Sequence, residues 1–223
     1  KDLFVEDDNV YMKTVKGPLK VDCIYRRLDD SFLDPKVYNK ESLIGVPGLF
    51  KCWLKKNVGI LNAVGTGVAD DKVVYSYVNK MITYYLGEQP ILDQVETYLC
   101  HDETHKKYVI ENISKLVVKP ANASGGYGIM IGPKAPKKEI EETIIKIKKN
   151  PREYIAQPLE ILSTAPTITE HDIEPRHLDL RPFILTGKTN YVTTGGLTRV
   201  ALRKGSTIVN SSQGGGSKDT LIV

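Results

Sequence analysis

An apolar, β-branched run that ends in a lysine and then a glycine-rich turn constrains this chain more than any other feature. The run covers residues 115–120, and residues 123–129 read Ala-Ser-Gly-Gly-Tyr-Gly-Ile. Such a run is typical of a buried strand, and residues 129–132 predict a strand that returns beside it. A glycine-rich loop lets backbone N–H groups approach a ligand closely and form a concave anion site. Because Lys119 adds a positive charge there, the segment indicates a grip on a phosphate chain.

The same glycines have a plainer interpretation, because glycines between two strands are most often only a hairpin turn. The loop lacks the spacing of a P-loop, in which Gly-Lys-Ser/Thr precedes a helix. It also leads into a strand, unlike a dinucleotide-binding glycine fingerprint. Both interpretations stay open on the loop alone.

Composition excludes several classes of protein. The 223 residues, with 41% hydrophobic and 26% charged side chains, suit one large or two smaller globular domains. A net charge of +4 without an arginine-rich face argues against nucleic-acid binding. No apolar run approaches the roughly 20 residues of a membrane span. The widely spaced Cys23, Cys52 and Cys100 offer neither a disulfide framework nor a Cys-x-x-Cys metal site. With no secretory signal visible, we expect a cytoplasmic protein.

Both ends of the chain look cut. It begins at Lys1 without a methionine, inside an alternating segment, and stops in a strand-like run at Val223. We therefore expect that an N-terminal part of the protein is missing here.

Hydrophobic periodicity predicts an α+β chain. Helices are expected at residues 47–57 with Pro47 first, 71–86 between an Asp70 cap and Gly87, 103–113 after an Asp102 cap, and 137–149. Strands are expected at residues 3–5, 10–15, 21–25, 58–62, 115–120, 129–132, 154–158, 177–185, 191–202 and 207–210. Loops are expected at residues 162–175 and 211–217. The apolar stripe expected to be core in the second helix consists of Val74, Tyr77, Val78, Met81 and Tyr85.

Four longer motifs accompany the lysine strand, at residues 24–30, 65–72, 195–202 and 209–220. Together they resemble the circularly permuted ATP-grasp family, and they are similar to glutathionylspermidine synthase in its nucleotide-binding half. The resemblance covers essentially the whole chain. It implies an ATP-grasp fold, in which two α/β subdomains with mixed and antiparallel sheets enclose a nucleotide.

The resemblance also implies a division of the chain. A pre-ATP-grasp-like segment would cover residues 1–100, with the helices at 47–57 and 70–86. The small subdomain with the glycine-rich loop would cover residues 101–161, and strands of the large subdomain residues 162–223. The missing N-terminal segment of the same protein would be a partner of this part.

The resemblance assigns roles to individual residues. The nucleotide-binding residues would be Lys72, Lys119, Ser124, Gly125, Gly126, Tyr127, Gly128, Gln157 and Pro158. Arg199, with Arg181 as a further candidate, would be catalytic and would face the phosphates or an acyl-phosphate. The substrate-binding candidates are Arg26, Arg27, Asp29, Asp30 and Asp179. The first four of these form a surface ion-pair cluster in an equally good interpretation.

The implied activity is that of an ATP-dependent, ADP-forming carboxylate–amine ligase. Its cofactors would be ATP and Mg²⁺, and its substrates a small-molecule or peptide carboxylate and an amine. Mg²⁺ prefers oxygen ligands, such as a carboxylate and an asparagine two residues apart. The last predicted strand offers Asn210 without a glutamate two residues before it, so the metal ligands stay open. The alternative is a non-catalytic nucleotide-binding or assembly module whose chemistry resides in a partner segment.

Overall fold

The computed structural model describes residues 2–123, 127–169, 172–206, 209 and 215–221. The chain divides into two units, Lys1–Gln89 and Pro90–Val223. Among the described helices, none has both the length and the apolar character needed to cross a membrane.

The first unit combines a three-stranded antiparallel sheet with two parallel strands. The sheet consists of β1 (Leu3–Glu6), β2 (Asn9–Thr14) and β3 (Gly17–Lys20). The parallel pair consists of β4 (Cys23–Tyr25) and β5 (Gly59–Leu61). Helix α1 (Leu49–Leu54) lies between these two strands in the chain, and helices α2 (Lys72–Tyr75) and α3 (Val78–Leu86) follow β5. The sequence analysis missed β3, because glycine and proline at its start are unfavourable in strands. The strand forms because it pairs with β2.

A buried carboxylate fixes the start of α1. Asp34 is fully buried, and its carboxylate accepts hydrogen bonds from the backbone N–H groups of Gly48 and Phe50 at 3.0–3.1 Å. These are N–H groups that a helix start leaves without partners. The helix therefore begins at Leu49, and the expected helix at 47–57 is too long at both ends. Its buried residues join a core of Val10, Leu33, Leu49, Cys52, Val58 and Ile60.

The helix expected at 71–86 is divided into α2 and α3. At Ser76 and Tyr77 the backbone N–H groups bond to carbonyls three residues back, which tightens the turn and interrupts the α-helix. The cap is Asp71, whose side chain accepts from the N–H of Val73 at 2.7 Å, and not the expected Asp70. Gly87 ends α3 in the left-handed region, as predicted.

The apolar stripe of this segment is not core. Neither α2 nor α3 has a buried residue, and Tyr77, Val78, Met81 and Tyr85 are exposed. Helical spacing shows which face is suited to burial, whereas a neighbouring element must supply the cover.

The second unit begins with a small antiparallel sheet in the order β6-β9-β7-β8. Its strands are β6 (Tyr98–Leu99), β7 (Leu116–Pro120), β8 (Met130–Ile131) and β9 (Tyr154–Pro158). Helices α4 (Glu103–Asn112) and α5 (Lys137–Lys149) pack on one face, and Asp102 caps α4 through the N–H of His105 at 2.9 Å. The core residues between them include Val109, Ile113, Leu116, Val118, Met130, Ile147 and Ala156. These two helices and β9 confirm the sequence analysis.

A second antiparallel sheet runs in the order β10-β11-β12-β13. Its strands are β10 (Thr164–Ile168), β11 (Ile173–Thr186), β12 (Asn190–Ala201) and β13 (Gly215–Leu221). The loop expected at 162–175 is wrong, because β10 and the start of β11 pair there despite Pro166 and Pro175 lying opposite each other. Residues 215–217 likewise belong to β13 rather than to the loop expected at 211–217. The rest of that loop lies outside the described residues, and so does the strand expected at 207–210, apart from Val209.

Candidate functional site

Lys119 and Gln157 lie next to each other on neighbouring strands of the small sheet. The register of β7 and β9 places Val117 opposite Gln157, so both predicted residues project from the same face. This face is opposite to the one that packs against α4 and α5. Lys119 Nζ donates a hydrogen bond to Gln157 Oε1 at 2.6 Å.

Thr97 orients this pair, although no sequence pattern singles it out. Gln157 Nε2 donates to Thr97 Oγ1 at 2.8 Å, so the amide oxygen of Gln157 is the atom that faces Lys119. Gln157 is buried, and a buried, hydrogen-bonded amide holds its partner in one position. The next predicted residue, Pro158, ends β9 opposite Leu116.

The glycine-rich loop connects β7 to β8. Ser124, Gly125 and Gly126 lie outside the described residues. Gly128 adopts a φ of +72°, and a Cβ at this position would lie 3.0 Å from Pro120 Cγ. Both the backbone conformation and the space therefore favour glycine there. Tyr127 beside it is exposed.

Arg199 and Asp179 form a cross-strand pair in the second sheet. They lie directly opposite each other on β12 and β11. Arg199 Nε donates to Asp179 Oδ1 at 2.8 Å, and Nη2 bonds to Oδ2, which makes the pair bidentate. The hydrogen bonds from Arg199 lower the pKa of Asp179 below its ordinary value, and the charge of nearby Arg181 adds to this effect. Arg181, two residues along β11, projects from the same face, so the structure brings these three candidates together.

The Arg-Arg-Leu-Asp-Asp segment follows β4 and lines a cleft of about 460 Å³ in the first unit. The cleft lies just after the carboxyl ends of the parallel strands β4 and β5, a place where ligands bind in many α/β proteins. Its volume lies within the range of small-molecule sites. The lining residues are Arg26, Arg27, Leu28, Asp29, Asp30, Asn62, Thr66, Gly67 and Asp70.

Arg26 builds the wall of this cleft. Its guanidinium is buried and donates to the backbone carbonyls of Asn62, Leu28 and Ala63, the last two at 2.8 and 2.7 Å. Arg26 Nη1 also lies 2.7 Å from Asp30 Oδ1. Asp30 in turn accepts from the N–H of Gly65 at 2.9 Å, where Gly65 has a φ of +91°. These contacts join the segments after β4 and β5.

The other charged residues of the cleft differ from Arg26 in their setting. Arg27 and Asp29 are exposed, and Asp29 Oδ1 accepts from the N–H of Ser31 at 3.1 Å, which caps a short 3₁₀ turn. Asp70, which the sequence analysis assigned to a helix cap, lines the cleft instead. The segment therefore separates into a structural arginine–aspartate pair and exposed charges that face solvent.

Lys72 is the first residue of α2, in the first unit, whereas Lys119 belongs to the second unit. Partial burial lowers the pKa of the Lys72 ammonium from its ordinary value of 10.5, because burial disfavours the charged form. The carboxylates of Asp71 and Asp70 act in the opposite direction. A bound anion would favour the charged form of this lysine.

The described residues do not offer a ready-made metal site. Among them, no three or more His, Cys, Asp or Glu side chains come together so as to hold a metal ion. The Mg²⁺ candidate Asn210 lies outside the described residues. Among the residues that the structure describes, no ligand set for Mg²⁺ is therefore assigned.

Relatives of this chain are found in several bacteria. An uncharacterised protein of Synechocystis sp. is 54% identical over 224 residues, which cover all of this chain and 47% of that protein. An uncharacterised protein of Mycobacterium tuberculosis is 50% identical over all of this chain and 41% of its own length. A protein of Frankia casuarinae named putative glutamate–cysteine ligase 2-2 is 47% identical over 99% of this chain and 26% of its own length. The chain thus spans half or less of each of these relatives.

A solved structure and a family model also match. D-alanyl-alanine synthetase A of Vibrio cholerae aligns with 99% of this chain and 58% of its own, at 10% identity and a TM-score of 0.45. The family model, described as circularly permuted ATP-grasp type 2, matches residues 1–201. The likeness to glutathionylspermidine synthase in particular stays a prediction. Since the family model covers nearly all of the chain, this protein belongs to the circularly permuted ATP-grasp type 2 family and has the α+β ATP-grasp fold.

Proposed function

We propose that this chain forms the ATP-binding part of an ADP-forming ligase that joins a carboxylate to an amine. The hydrogen-bonded series Lys119–Gln157–Thr97 carries the proposal, because it orients an ammonium group on the strand that leads into the glycine-rich segment of an ATP-grasp protein. Membership of the ATP-grasp family supports a ligase, and so does the name of the Frankia relative, putative glutamate–cysteine ligase 2-2.

The reaction has two steps. The substrate carboxylate attacks the γ-phosphorus of ATP, which releases ADP and forms an acyl-phosphate. The amine then attacks the acyl carbon, which forms the amide and releases phosphate. Phosphoryl transfer depends mainly on positioning and on stabilising negative charge, so cationic side chains are the groups that such a site needs.

The residues of this chain divide these tasks among them. Lys119 and Lys72 bind phosphate oxygens, and the loop at 124–128 covers them and excludes water from the acyl-phosphate. Backbone groups at Gln157 and Pro158 bind the adenine edge. Arg199, oriented by Asp179, stabilises charge on the transferred phosphoryl group, with Arg181 beside it. Mg²⁺ that enters with ATP would neutralise part of the phosphate charge.

The exposed charges of the first unit's cleft are assigned to substrate binding. Arg27 would bind a substrate carboxylate and Asp29 an amine, whereas Arg26 and Asp30 maintain the shape of the cleft. The assignment follows from the contacts, since the Arg26 guanidinium is already engaged by three carbonyls and by Asp30.

The decisive experiment is ATP binding by Lys119→Ala, measured by titration calorimetry. A hydrogen bond to a charged group is worth about 1.5–3 kcal/mol, so we expect ATP affinity to fall roughly tenfold to a hundredfold. Lys115→Ala is the matched control, because it removes the same charge from an exposed position just before β7. Wild-type affinity in Lys119→Ala would remove Lys119 from the nucleotide site.

A second measurement separates the ligase from a non-catalytic nucleotide-binding module. The ligase predicts that Mg²⁺ strengthens ATP binding and that the whole protein releases ADP in the presence of a mixture of amino acids. Weak binding that Mg²⁺ does not change, without ADP release, would favour the binding module instead.

A further inference from the structure

The outer part of the β11–β12 hairpin, residues 183–194, is a two-stranded arm. Nearer its base, β11 pairs with β10 as far as His177, and β12 pairs with β13 from Gly195 onward. Within the described residues, the strand positions of the arm pair only with each other. A hairpin of two strands is at best marginally stable in water by itself.

The arm is apolar and exposed, in contrast to its base. Its large apolar side chains are all between 51% and 61% exposed, and they are Phe183, Ile184, Leu185, Tyr191 and Val192. On the same strand β12, Val200 and Ala201 are buried. Large contiguous apolar patches are rare on the surface of monomeric proteins and mark a surface that another element covers.

The apolar residues occupy both faces of the arm. Ile184 lies opposite Val192 in the strand register, and Leu185 lies opposite Tyr191. Adjacent residues of a strand project to opposite sides, so these are two apolar pairs on two different faces. A single flat partner surface would bury only one of the pairs.

The family relatives contain enough further chain to cover both faces. The chain matches 47% and 41% of the lengths of the Synechocystis and Mycobacterium tuberculosis relatives, so more than half of each lies outside the match. That length corresponds to a further domain or more.

We propose that the arm inserts between two apolar layers formed by the additional chain that these longer relatives carry, within one molecule. The insertion explains the apolar residues on both faces, and it supplies the cover that a two-stranded hairpin needs. It is an interface that the ATP-dependent reaction does not require, so it stands or falls independently of the proposed ligase activity.

The test measures thiol labelling of the whole protein that carries this chain, with Ile184→Cys or Leu185→Cys introduced, one for each face. Val15→Cys, at a fully exposed turn, is the control. We expect both arm cysteines to react with a maleimide at least about tenfold more slowly than the control, with the protein shown by its mass in solution to be a monomer. Mass spectrometry of peptides assigns the label to each site.

Three results would overturn the proposal. Arm cysteines that react at the control rate would show an uncovered arm. Protection on one face only would show that the arm lies on a surface instead of being inserted. Protection that disappears when the protein is diluted would show that a second copy provides the cover. If a cysteine variant does not fold, hydroxyl-radical footprinting of the unmodified whole protein at Phe183 and Tyr191 measures protection or exposure of the same arm.

Discussion

Two arginine–aspartate pairs occupy very different settings in this molecule. Arg26 and Asp30 follow β4, and the Arg26 guanidinium is buried and bonded to backbone carbonyls as well as to Asp30. Arg199 and Asp179 face each other across β12 and β11, where the partly exposed guanidinium bonds to the carboxylate in bidentate fashion.

The difference shows that a charged motif does not by itself reveal a catalytic group. Arg26 donates to carbonyls from two chain segments and holds them together, so its charge serves the fold. Arg199 is hydrogen-bonded to the Asp179 side chain on a sheet face that also carries Arg181, so its charge can be directed toward a ligand. Removing each arginine should therefore affect different properties of the protein.

Arg26→Gln should have the largest effect on stability. It would remove the cation from Asp30 and the guanidinium donor from the backbone carbonyls of Asn62 and Ala63. Breaking a buried ion pair costs about 3–5 kcal/mol, and we expect the free energy of unfolding in urea to fall by about 3 kcal/mol. Arg27→Gln is the matched control and should change it by less than about 0.5 kcal/mol, because the side chain is exposed. A loss of unfolding free energy in Arg26→Gln as small as that expected for Arg27→Gln would show that Arg26 has no structural role.

Arg199→Gln should reduce catalysis more than stability or ATP affinity. Removing a donor that stabilises developing charge typically lowers turnover by roughly 100-fold to 1000-fold. We expect a loss of about this size in ADP formation by the whole protein, with ATP affinity nearly unchanged. The exposed Arg203→Gln, two residues beyond β12, serves as the control. Lower ATP affinity with unchanged turnover would contradict the assigned role.

A double-mutant cycle on Arg199 and Asp179 compares the two pairs directly. Cross-strand charge pairs contribute about 0.2–1 kcal/mol, and the bidentate geometry places this one near the upper end. We expect a coupling free energy of about 1 kcal/mol from unfolding of Arg199→Gln, Asp179→Asn and the double variant. The same cycle on Arg26 and Asp30 should give a larger value, and the reverse order would break the comparison.

The smallest expected effect is an acid sensitivity of the second sheet. The hydrogen bonds from Arg199 lower the pKa of Asp179 below its ordinary value of 3.8. The stabilisation is therefore fully present above that value and is lost as the pH falls through the lowered pKa. Asp179→Asn should be less stable than the wild type at pH 6, and the gap should shrink between about pH 4 and pH 2. A gap that stays constant over this range would show that the carboxylate charge does not matter.

The sequence located several residues of the candidate site without showing how they are connected. Lys119 and Gln157 were both expected from the strand ends and the family motifs, and they proved to be hydrogen-bonded to each other. Thr97 was missed, because a lone threonine before a two-residue strand has no distinguishing pattern. The separate roles of Arg26 and Arg27 were not predictable either, since adjacent residues of one motif differ only in what surrounds them.

The sequence by itself determined most of the strands and helices of the second unit, through the alternation of its apolar residues, its helix caps and its glycines. Those features depend on neighbours within a few residues of the chain. The tertiary structure alone decided that residues 164–168 form a strand, that α3 is exposed, and that Arg26 is a structural residue. These outcomes depend on contacts between residues far apart in the chain, because burial and pairing come from partners that local sequence does not specify.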